Sequence, residues 1–140
     1  MENQNTNLTL TLNPESAQNP SFCSFHPESV EDKAKLYRAM TNPDKKVSDC
    51  INQAFDLADV YMEVVEMVQD ETGEVRKVPR VVLFAADGVT YAATSQGIYN
   101  AIQRLSMVYG APSWRDAPIP VVIRQIQMAQ KRFYTLDVNA

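Results

Sequence analysis

The chain has 140 residues, of which 45% are hydrophobic, and carries a formal net charge of −4. That is enough apolar material for one ordinary core, with none of the bias of collagen, coiled coil or wholesale disorder. No run of about 18 apolar residues offers a membrane-spanning helix, and Cys23 and Cys50 alone cannot make a disulfide scaffold.

The opening stretch MENQNTNLTLTLNPES lacks the charged-then-apolar layout of a signal peptide, which points to the cytoplasm. Residues 1–28 are polar and read as a flexible arm ahead of a single domain over 29–140. Within the arm, Leu8, Leu10 and Leu12 alternate with threonine, a strand pattern with no neighbour in sequence to pair with. It is either a tail or edge strand of its own domain, or an extended segment that adds onto a neighbouring copy and so links protomers. His26 lies near Cys23, but the two with Cys50 fall short of a zinc ligand set, so neither metal nor cofactor is expected.

Ala34 to Thr41 reads as a short strand ended by the turn signal Asn42-Pro43-Asp44. Lys45 to Ala54 fits either a helical turn capped by Ser48 or a connecting loop. From Asp56 to Gln69, Val60, Met62 and Val64 share one parity while Val65 and Met67 take the other, which predicts a long bent strand with a β-bulge. An amphipathic helix also fits Leu57, Tyr61, Val64, Val65 and Val68, but the density of β-branched residues favours the strand, with Asp70 to Gly73 as its hairpin turn. Val81 to Phe84 and Val89 to Ala92 flank Asp87-Gly88, which suits a type I′ hairpin. Ser95 is placed to cap a helix whose Ile98, Ala101, Ile102, Leu105 and Val108 form one apolar stripe. Gly110 and Pro112 stop it, and a proline-rich loop follows with the single tryptophan, Trp114. Ile119 to Met128 and Arg132 to Val138 are the last strands, turning at Ala129 to Lys131. Strands with one helix between the third and fourth describe an OB-fold, a mainly β, five-stranded Greek-key barrel. A small α+β sandwich uses the same elements.

Phe84-Ala85-Ala86-Asp87-Gly88, followed by Tyr91, Ala92 and Ser95 and then a helix, resembles a segment of small single-stranded-DNA-binding proteins of Gram-positive phages and conjugative plasmids. The resemblance implies an OB-fold that coats single-stranded DNA and has no enzymatic activity. The long arm and the Pro/Trp loop depart from the short phage pattern, so mode of assembly and nucleotides covered do not carry over.

Binding unpaired strands without sequence choice requires cations for phosphates and flat rings for bases, each stack contributing about 1–3 kcal/mol. A pI near 4.9 argues against a polyanionic partner, yet Arg76, Lys77 and Arg80 cluster, as do several cations in the last third of the chain. Candidate stacking rings are Tyr61, Tyr91, Tyr109, Trp114 and Phe133, each weighed against core packing. Candidate phosphate partners are Arg115, Arg124, Lys131 and Arg132, each weighed against an ion pair or a solvated face. Catalytic triads, phosphate-loop glycines and paired carboxylates are missing, so the expectation is a binding protein with single-stranded DNA as partner and no membrane. The alternative is a protein-interaction adaptor on the same barrel, docking through its arm.

Overall fold

A computed structural model describes residues 21–68, 71–129 and 131–139, so Leu8, Leu10 and Leu12 lie outside the described residues. In chain order come β1 (Ser21–Cys23), α1 (Val30–Thr41), β2 (Lys45–Lys46), a 3₁₀ turn (Val47–Asp49), β3 (Ala54–Val68) and β4 (Val75–Ala85). There follow β5 (Thr90–Thr94), α2 (Gln96–Tyr109), β6 (Ile119–Met128) and β7 (Lys131–Val138). One seven-stranded sheet runs β2-β5-β4-β3-β6-β7, with β1 paired to β3 beside that path. The sheet curls into a half-barrel, a mainly β, OB-like architecture with two helices in place of the expected one.

Two departures from the sequence reading stand in the N-terminal part. Ala34 to Thr41 is helix, because the helix starts earlier: Ser29 accepts the Asp32 amide at 3.0 Å, and Glu31 and Asp32 sit in the first turn where the helix dipole favours them. The sheet also begins inside the segment read as arm, since Cys23 pairs with Tyr61 and Ser21 with Glu63. Lys45 to Ala54 resolves into β2, parallel to β5, and a 3₁₀ turn that starts after Lys46 without help from Ser48.

The long bent strand is there, but its bulge lies at Ala58, between the pairs Leu57 with Ala85 and Asp59 with Phe84. The freed Ala58 carbonyl accepts the Trp114 amide at 2.8 Å, which ties the proline-rich loop to the sheet. Val64 and Val65 both pair in continuous register with β4. Their opposite parities reflect a hairpin leaving the body, where neither face is tied to the core. The β4–β5 connection is also not type I′: Gly88 donates to the Ala85 carbonyl at 2.9 Å and has φ +95°, whereas Asp87 is not left-handed. This is a type I turn closed by a left-handed glycine.

The inner face of the sheet packs Leu57, Val60, Met62, Val81, Leu83 and Ile123 against Ile98, Ile102 and Leu105 of α2. Each such fully buried side chain contributes about 1.5–3 kcal/mol. Val108, assigned to the same stripe, is exposed because α2 outruns the core there. On the opposite face a smaller cluster joins Tyr61, Val82 and Phe84 to Phe25 and Ala39, with Leu36 beside them. No ladder joins β5 to β7. The N-terminus of α2 spans that gap, with Gly97 so close that a Cβ there would lie 2.1 Å from the Tyr134 carbonyl oxygen.

Candidate nucleic-acid interface

The gap between β5 and β7 opens into a cavity of about 430 Å³. Its lining includes Arg80 of β4, Ala92 and Thr94 of β5, Tyr134 of β7, Lys46 of β2 and Pro43. Two hairpins extend past it. Beyond Arg80, β3 and β4 continue to the exposed Met67, Val68, Val75 and Arg76; beyond Tyr134, β6 and β7 continue to Arg132 and Lys131. A second cavity of about 480 Å³ shares Pro43 and Lys46 with the first and runs on past Lys45 to Gln53. Together they form a groove around the β5 edge.

Both signs line the groove, Lys45, Lys46 and Arg80 against Asp44 and Asp49. Lys46, Arg76, Lys131 and Arg132 form no ion pair with any described residue. Arg80 is held by Glu63 at 3.3 Å, and Glu63 also accepts the Tyr61 hydroxyl at 3.0 Å. Burial, then the Glu63 charge and hydrogen bond, push the Tyr61 hydroxyl from 10.0 up to about 12, so it stays a donor. Asp44 and Asp49 line the second cavity, and Asp44 accepts from the Thr90 amide at 3.0 Å and from its hydroxyl at 3.2 Å.

The residues singled out in the sequence divide into three groups. Tyr61, Tyr91 and Trp114 are inside, at 5%, 5% and 6% exposure, so none of these rings presents a face at the surface of the free chain. Tyr91 stacks on Phe55 at 4.3 Å, and Trp114 donates its indole N–H to the Gly110 carbonyl at 2.9 Å. Arg115 is committed to the buried Asp59 carboxylate and covers the Phe25 ring, which makes it a structural cation. Its guanidinium was the partner a buried aspartate requires.

Arg124, Lys131 and Phe133 share one face of the β6–β7 hairpin, together with Ile126 and Met128. Arg124 is partly engaged, donating to Asn52 at 2.8 Å with Asp137 at 3.9 Å. Arg132 takes the other face, in line with Tyr134 and the cavity. Tyr109 is 47% exposed but stands at the far end of α2, about 18 Å of helix axis from Gly97 and the cleft.

Lys46 and Tyr134 are lining residues that sequence reasoning passed over. Tyr134 shares parity with Leu136 and Val138 and reads as core; Lys46 sits in the stretch left open between turn and loop. Among the described residues no group of three or more His, Cys, Asp or Glu side chains could hold a metal.

A curled OB-like sheet with Lys46 and Arg80 at a cleft beside two projecting hairpins is an architecture able to hold an extended chain. The chain belongs to the phage single-stranded DNA-binding protein family, of the phi29 type, whose profile it matches over residues 15–139. This is a family of binding proteins, not enzymes. No curated protein and no solved structure matches the chain. No described helix is long and apolar enough to cross a membrane.

Proposed function

We propose that the chain coats single-stranded DNA with little sequence preference, holding the strand in the groove around the β5 edge. Lys46, Arg80 and Arg132 follow the phosphates there, Lys131 and Arg76 extend the path along the hairpins, and Tyr134 and Phe133 offer rings to bases. One observation carries this: three strands distant in sequence bring Lys46, Arg80 and Tyr134 to one cavity, and the hairpins beside it carry cations that pair with no described residue. Arg124, on the Phe133 face, adds a further phosphate contact. The five longer strands then serve as the barrel of an OB-fold, the domain acts in the cytoplasm, and the arm with Leu8, Leu10 and Leu12 links neighbouring protomers along the strand.

Anisotropy of a labelled short oligothymidine, titrated at several salt concentrations, tests the site. Binding weakens as salt rises, and Lys46→Ala and Arg132→Ala each reduce the slope of log K against log salt by about 1. No binding at micromolar protein, or binding indifferent to salt, overturns the reading.

A further inference from the structure

The sheet face turned away from the barrel core is divided. Arg80, Val82 and Phe84 alternate along β4 and so point the same way. Arg80 opens to the cleft, while Val82 and Phe84, with Tyr61 opposite Val82, are buried beneath Phe25, Leu36 and Ala39. Two aromatic rings thus continue the cleft floor under a cover.

The covered rings are held by contacts that a base and its phosphate could replace. Phe25 meets Phe84 edge-on at 5.2 Å and 81°, and the Lys35 ammonium lies 5.7 Å from the Phe84 centroid. A base against the ring with a cation nearby satisfies the same surfaces.

The cover is held unevenly. Its start is fastened: β1 is laddered to β3, the Ser24 hydroxyl donates to Asp59 at 2.6 Å, and Arg115 joins the same carboxylate. Helix α1 is held differently. Among the described residues no hydrogen bond or ion pair joins it to the body, and its hydrogen bonds stay within the helix and its caps. Among the described residues its side-chain attachments are Leu36 and Ala39 in the outer cluster and Lys35 over the Phe84 ring, while Val30 and Tyr37 are 84% and 67% exposed. Elements with few buried contacts open at low free energy compared with a laddered sheet.

We propose that Tyr61 and Phe84 form a second stacking surface for unpaired bases, and that α1 is a displaceable cover which a long single strand pushes aside once it fills the cleft. Phe25 stays tethered through Ser24 and becomes a flank of that surface. The proposal rests on the single-strand reading above, and the test separates the two.

Amide hydrogen exchange is measured on the full chain, free and saturated with a long oligothymidine. Displacement predicts faster exchange from Lys35 to Asn42 in the complex, with β4 and β5 as protected or more. Ala39→Gln, whose longer side chain does not fit a site 1% exposed, loosens the cover in advance. It binds the long oligothymidine at least about fivefold more tightly than the parent, because the share of cover-open molecules no longer limits affinity. A short oligothymidine that fills only the cleft binds both alike. Unchanged or slower exchange in α1, with long-strand binding intact, overturns the cover and leaves the cleft standing. If Ala39→Gln does not fold, exchange in the parent decides alone. Failure of the parent to bind either oligothymidine overturns both proposals.

Discussion

At the scale of residues, the pair Asp59 and Arg115 shows how a candidate contact becomes a structural one. Asp59 is 2% exposed, and a carboxylate taken out of water requires a cation and donors close by. Arg115→Ala removes the cation and leaves Ser24 as remaining side-chain donor, which lowers stability by about 1–3 kcal/mol in urea unfolding. Affinity for a short oligothymidine stays as it was. A variant of full stability and weakened binding would return Arg115 to the interface. Tyr61 gives a pH signature. Its hydroxyl keeps its proton to about 12 when folded against 10.0 when unfolded, and burial raises Tyr91 and Tyr99 in the same direction. Below the unfolded value both states hold the proton and nothing changes; above it the unfolded chain loses its proton first, so stability falls as pH rises from 10.0 toward about 12. Tyr61→Phe flattens that part of the profile, as denaturation midpoints across alkaline pH will show. A fall of the same size in the variant assigns the effect to other groups.

At the scale of elements, legibility followed how local the cause was. Ser95 capping α2, with the Ile98 amide donating to its hydroxyl at 3.1 Å, was readable because cap and stripe lie within one window. The first helix is hidden in Ala34 to Thr41 because Ser29, Glu31 and Asp32, the residues that start it, lie before that stretch. The parity change in β3 pointed to a bulge at Val64 and Val65, whereas the bulge at Ala58 is fixed by a loop far along the chain through the Trp114 amide. Gly97 makes a further element-scale case. Alanine is the better helix former by about 1 kcal/mol, yet Gly97→Ala drives a methyl into the Tyr134 carbonyl. The collision wins, and thermal unfolding of Gly97→Ala shows a loss of about 1–3 kcal/mol. An unchanged or raised Tm would mean that the α2–β7 seam is looser than this contact.

At the scale of the whole molecule, an excess of acid coexists with Lys46, Lys131 and Arg132, cations that pair with no described acid at the groove and on the hairpin beside it. Net charge is a sum, whereas under the proposed binding mode a strand of DNA would meet Lys46, Arg132 and Lys131 at close range, within a Debye length of about 8 Å. No period in the sequence announces this groove, because β2, β4 and β7 bring its residues together across a seam without a hydrogen-bond ladder. Rings were legible as aromatic but not as inside or outside. Tyr91 and Trp114 went to the core, while Phe133, whose parity opposes Tyr134, is 42% exposed. The proposed linking role of the arm is tested at this scale too. Removing residues 1–20 reduces cooperative assembly on a long oligothymidine while a short one binds as before; equal cooperativity in native gel shifts argues that protomers meet by other means. The most direct measurement of where the strand lies is photocrosslinking with bromodeoxyuridine-substituted oligothymidine, read by mass spectrometry. Crosslinks at Tyr134 and Phe133 are the predicted result; crosslinks confined to Tyr109 and the end of α2 would contradict the groove.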